Sequence, residues 1–113
     1  MVLLGQKHGD LYYKGLGAYL DYKKAFELYQ KSATQGNLKA QNGLANCYRY
    51  GNGIIKDYEE AHMWYKKAAE QGDAESQFLC GKYSHYKKNY SEAKEWYMKA
   101  AKQGYQPAID ILN

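Results

Sequence analysis

Three histidines, two cysteines and a few adjacent carboxylates are the side chains here that could do covalent or metal chemistry. Their spacing argues against it. His8, His62 and His85 form no His-Glu-x-x-His pair, and Cys47 and Cys80 form no two-cysteine knuckle, so no metal-ligand spacing is present. Cys80 and His85 are five residues apart, which on a helix turns them about 140° from one another, a poor geometry for a thiolate–imidazolium couple. Glu59 and Glu60 stand together where a helix is predicted to begin, and compensation of the helix dipole accounts for them. Gly15-Leu16-Gly17 and Gly51-Asn52-Gly53 lack the Lys-Ser or Lys-Thr that follows a phosphate-binding loop, and read as turn glycines. The expectation is a protein with no catalytic centre, metal or cofactor. What the chain offers instead is recognition chemistry: one arginine, a run of amides and fourteen tyrosines. Amides both donate and accept, and Tyr and Arg combine apolar area with a polar tip.

The elements that position these residues repeat. Tyr12-Tyr13-Lys14-Gly15-Leu16-Gly17 leads to Asp21, Lys24-Ala25, Tyr29, Lys31-Ser32-Ala33 and Gln35-Gly36-Asn37. Thirty-six residues later, Tyr48-Arg49-Tyr50-Gly51-Asn52-Gly53 leads to Asp57, Glu60-Ala61, Tyr65, Lys67-Ala68-Ala69 and Gln71-Gly72-Asp73. A third copy carries Glu92-Ala93, Trp96-Tyr97, Lys99-Ala100-Ala101 and Gln103-Gly104, with four residues lost where Lys87-Lys88-Asn89 replaces the Gly-rich loop. A fourth begins at Gln106-Pro107-Ala108. A fixed period of this size means stacked supersecondary units.

Each copy divides into two helical patterns. Ala40, Leu44, Cys47 and Tyr48 make one apolar stripe over about 38–50, and Ala61, Trp64, Tyr65, Ala68 and Ala69 make another over about 58–71. Asp21, Asp57 and Asn89 are predicted to cap the second helices, and Asn37 and Asp73 the first helices that follow. Gly36, Gly72 and Gly104 are predicted to end helices in the left-handed conformation, and Pro107 suits a first helical turn. The predicted fold is all-α, an α/α superhelical solenoid of antiparallel helix pairs. One domain, 1–113, comprises repeats over 1–36, 37–72 and 73–104 and a partial or capping helix over 105–113. Because the chain opens and closes inside first-helix patterns, it reads either as capped by 107–112 or as a fragment of a longer array.

The recurring pattern Tyr-x-x-Gly-x-Gly-x-x-x-Asp-x-x-(Lys/Glu)-Ala-x-x-(Trp/Leu)-Tyr-x-Lys-(Ala/Ser)-Ala-x-Gln-Gly-(Asp/Asn) closely resembles the Sel-1-like repeat, a relative of the tetratricopeptide repeat. His8-Gly9 and Leu44-Ala45 stand where that family prefers Leu-Gly. The resemblance implies that the first helices line a concave wall. The groove-facing positions of the second copy are then Lys39, Asn42, Asn46, Arg49 and Tyr50, and those of the first are Leu3, Gln6, Asp10, Tyr13 and Lys14. The third copy supplies Glu75, Phe78, Lys82, His85 and Tyr86. The resemblance also implies an adaptor or scaffold role, without enzymatic activity. The partner-binding residues expected are Gln6, Tyr13, Asn42, Asn46, Arg49, Tyr50, Phe78, Lys82, His85 and Tyr86. An inhibitory or immunity-type protein that blocks an enzyme partner is the alternative reading of the same fold.

Charge and composition narrow the partners. The formal charge of +4 comes from fifteen lysines and Arg49, with Lys31, Lys67 and Lys99 recurring as a solvated face. Lysine pairs scattered around an array do not make the arginine-rich stripe of a nucleic-acid footprint, so the expected partner is a protein or peptide. No run of about 18 apolar residues exists to insert into a membrane. Met1-Val2-Leu3-Leu4 is too short for a signal-peptide core. No repeat holds two cysteines, which speaks against a disulfide framework and favours a reducing, cytoplasmic setting.

Overall fold

The computed structural model describes the backbone from residue 7 to residue 113, and side-chain environments at 17 and 20–113. Within that range the chain forms α1 (Lys7–Ala33), α2 (Leu38–Tyr50), α3 (Tyr58–Glu70), α4 (Ala74–Tyr86), α5 (Tyr90–Lys102) and α6 (Gln106–Leu112). Each packs mainly against the helix before it and the helix after it, so the antiparallel pairs add up to a solenoid of three repeats.

Local chemistry sets most of the boundaries. The Asn37 side chain accepts from the Ala40 amide at 2.8 Å, that of Asp57 from the Glu59 and Glu60 amides, and that of Asp73 from the Ser76 amide at 3.0 Å. Gly36, Gly72 and Gly104 follow the preceding helices with φ of 91°, 101° and 86°. At those angles a Cβ would be strained. Asn89 departs from expectation and makes no capping bond; its amide donates to the Glu92 carboxylate at 3.3 Å instead. The turn lost four residues there, and Lys88 takes a left-handed φ of 65° to complete it.

The larger departure is α1. The expected turn at Gly15-Leu16-Gly17 and cap at Asp21 are absent, because residues 7–33 form one continuous helix with Asp21 exposed in its interior. A glycine permits a turn without requiring one, and in a helix interior it costs only about 1 kcal/mol relative to alanine. The equivalent loop of the second copy is pinned. Gly51 and Gly53 take φ of 72° and 78°, the Asp57 amide donates to the Tyr48 carbonyl at 2.8 Å, and Gly53 sits so close to the Tyr22 backbone that no side chain would fit.

That difference shows in burial. Tyr65 and Tyr97 are 6% and 5% exposed, whereas Tyr29 at the same repeat position is 37% exposed and Leu28 beside it 63%. The tyrosine rings pack on small residues. Tyr97 lies over Gly81 of its own repeat, where a Cβ would come within 2.5 Å of the ring, and Tyr29 lies over Gly43 of the next. The core runs along the array in two clusters, one around Phe26, Leu44 and Cys47 and one around Ala45, Tyr65 and Cys80.

Glutamines tie the repeats together. Gln71 donates to the Gly36 carbonyl at 3.0 Å and to the Gln41 side chain at 2.8 Å, while Gln41 donates to the Ala33 carbonyl at 3.4 Å. One repeat on, Gln103 donates to Gly72 and to Gln77, and Gln77 to the Ala69 carbonyl at 3.2 Å. These amides add hydrogen bonds to carbonyls at the ends of helices, where the intrahelical ladder runs out.

Candidate functional site

Where the end of α2 and the loop after it meet α3 and α4, an open cavity of about 640 Å³ remains. Arg49 enters it from the end of α2, and Lys56 and Asp57 from the following loop. Tyr58, Glu59, Ala61, His62 and Tyr65 come from α3, and Leu79, Lys82, Tyr83, Tyr86 and Lys87 from α4 and its end. Ala61 and Tyr65 are buried and Leu79 half-buried, which makes the base apolar and leaves charge at the rim.

One wall is an aromatic stack. The His62 and Tyr83 rings lie 3.8 Å apart and within 9° of parallel. His62 is half-buried, and its Nδ1 has no hydrogen-bond partner among the described residues. Burial, and then the Lys66 charge, hold its pKa below the ordinary histidine value, so the ring is neutral near pH 7. The origin of the stack is visible along the repeat. Position 62 corresponds to Phe26 and position 83 to Cys47, and those two share an apolar cluster at the preceding junction. Here a polar pair replaces an apolar contact.

The Tyr83 hydroxyl donates to the Glu59 carboxylate, which also meets the Lys87 ammonium at 3.1 Å. Those two hydrogen bonds lower the Glu59 pKa, and burial followed by the same carboxylate raises that of Tyr83. Opposite, the Tyr65 hydroxyl donates to the Asn46 side chain. Burial is the largest single influence and works against the charge on Arg49, but hydrogen bonding to Tyr65 and the nearby Tyr65, Tyr50 and Tyr58 hydroxyls together outweigh it and its pKa is raised. The guanidinium lies 5.0 Å from the centre of the Tyr50 ring.

Of the residues expected to bind a partner, Arg49, Lys82 and Tyr86 line this cavity. Asn46 borders it through Tyr65. Asn42 turns toward α4 and accepts from the Ser76 hydroxyl at 2.6 Å. Tyr50 is exposed beside Arg49 but outside the lining. Phe78 faces the next junction, with Tyr97 and Tyr105 5.6 and 5.5 Å away, and His85 meets the edge of Tyr90 at 5.2 Å. The side chains of Gln6 and Tyr13 lie outside the described residues. Sequence reasoning missed Lys56, Tyr58, Glu59, His62, Tyr83 and Lys87. Its signal was available at Tyr83 and His62, where both residues depart from apolar equivalents in the neighbouring copy.

Both thiols are buried. Cys80 is fully buried, and burial pushes its thiol up to about 12; burial also raises that of Cys47. Among the described residues no three His, Cys, Asp or Glu side chains gather where they could hold a metal ion. No helix among them is long and apolar enough to cross a membrane.

Sequentially paired helices, glycine-ended and stitched by glutamines, define a short helical-repeat solenoid. A family model described as Sel1 repeat matches residues 1–37, 38–73 and 74–105. The chain belongs to the Sel1 repeat family. It is similar to a Sel1 repeat protein from Oxalobacter formigenes at 41% identity and a TM-score of 0.73, over 76% of this chain and 36% of that one. It is also similar to a protective antigen of uropathogenic Escherichia coli strains displaying an SLR fold, at 33% identity and a TM-score of 0.70. That match covers 77% of this chain and 20% of the antigen, so the chain spans well under half the length of either structure. No curated protein matches it.

Proposed function

We propose that this chain is a non-enzymatic interaction module that holds a peptide or protein segment in the groove formed by α3, α4 and the end of α2. The observation that carries this reading is the cavity of about 640 Å³, with an apolar base and a rim of Arg49, Lys82, Tyr83 and Tyr86. Pockets of this size enclose a few side chains, and Tyr and Arg are the residues that most often carry binding energy. Family membership supports the reading, since helical repeats present extended concave surfaces. The deeply buried thiols supply no nucleophile to compete with it.

The test is paired affinity capture with the unaltered chain and with Arg49→Ala/Tyr86→Ala. Both side chains are at the rim, so the double variant keeps its helical signal and melting cooperativity. Proteins retained by the first and lost from the second are the groove's partners. Identical capture by both would sink the assignment.

A further inference from the structure

We infer that the segment held in this groove is acidic: an extended peptide presenting an Asp or Glu carboxylate next to an aliphatic or aromatic side chain. The inference deepens the groove reading above and rests on it. The two carboxylates at the rim are already engaged. Asp57 accepts from the Glu59 and Glu60 amides, and Glu59 from Lys87 and the Tyr83 hydroxyl. The cations are not matched in the same way. Lys87–Glu59 is the one ion pair among the described residues, which leaves Arg49, Lys56 and Lys82 facing the cavity with no carboxylate within 4 Å.

Aromatic rings place all three. Arg49 stands 5.0 Å from the Tyr50 ring centre, Lys82 5.6 Å from Phe78 and Lys56 5.7 Å from Tyr58. A cation stacked this way has lost part of its side-chain freedom before a partner arrives, so an incoming carboxylate meets a partly ordered site. Arg49 is also half-buried, where solvent screens its charge less than at the open surface. The apolar base of Ala61, Tyr65 and Leu79 takes the neighbouring aliphatic or aromatic group. A basic segment would bring like charges together, and a neutral one would bury three cations without pairing them. A nucleic-acid strand suits the site less well, because the three cations surround a closed-based hollow instead of following a line.

The experiment pans a random-peptide display library on the intact chain, then measures the selected peptides by fluorescence anisotropy. Expected are sequences enriched in Asp or Glu beside Leu or Phe, with affinity falling as salt rises. Arg49→Gln/Lys82→Gln should weaken them about tenfold and Lys102→Gln should leave them unchanged. If the first variant unfolds, Lys56→Gln/Lys82→Gln, which alters only exposed side chains, serves in its place. Neutral or basic peptides that still lose affinity in Tyr86→Ala would overturn the acid preference and leave the groove reading standing. Peptides of any charge indifferent to Tyr86→Ala would overturn both. A single-stranded oligonucleotide that displaces the selected peptides would assign the charge to nucleic acid and overturn the proposal.

Discussion

His62 shows how one difference at a repeat position turns an apolar core contact into a polar cavity wall. Phe26, its counterpart, sits in the core, whereas His62 stacks on Tyr83 and carries an unpartnered ring nitrogen. Its folded pKa is depressed, so the unfolded chain binds a proton more readily and stability falls as pH drops below the ordinary histidine value toward the folded one. Urea titrations between pH 7 and pH 5 should show that fall, and His62→Phe should flatten it. An equal slope in the variant would assign the pH dependence elsewhere. Sequence alone could mark position 62 as irregular between copies. It could not show that the ring is half-buried, because that depends on Tyr83, which stands 21 residues further on.

At the scale of the helix pair, a glutamine clamp recurs at each described junction. Gln35, Gln71 and Gln103 were legible as part of the repeated ending, and Gln41 and Gln77 stand 36 residues apart. Their chemistry was not, since the bonds reach carbonyls of the preceding repeat and join glutamines from opposite ends of one repeat. Gln77 is only 6% exposed, and removing its amide takes one of two hydrogen bonds from the Ala69 carbonyl and one of two from the Gln103 side chain. Gln77→Ala should therefore lower stability by about 1–3 kcal/mol in denaturant titration, with Gln106→Ala on the surface nearly neutral. Equal effects would mean the clamp is decoration. The same scale exposes the failed expectation at Asp21. Near-identical words, Gly-x-Gly followed by Asp, end a helix in the second copy and pass through one in the first.

Across the whole molecule, stability belongs to junctions more than to a single centre. Leu44 is completely buried where α1, α2 and α3 meet, and Leu44→Ala should cost about 2–5 kcal/mol. Hydrogen exchange should quicken chiefly in α1 to α3, with α5 and α6 the least affected. Uniform acceleration through α6 would mean that the array melts as one unit. The groove is a property of this scale too: no single repeat contains it, since Arg49 and Tyr86 come from different copies.

The 36-residue period, the helix-ending glycines, the Asn37, Asp57 and Asp73 caps and the all-helical class followed from local sequence, because each rests on residues within one turn or one repeat. Three things did not. The continuity of α1 turns on whether anything pins its glycines, the presence of Arg49, Lys82 and Tyr86 but not Tyr50, Phe78 and His85 in the cavity lining turns on how α3 and α4 meet beside the end of α2, and the His62–Tyr83 wall turns on contact between repeats. All three are set by packing across junctions, and a pattern read along one strand of sequence carries the spacing of residues but not the angle at which neighbouring helices meet.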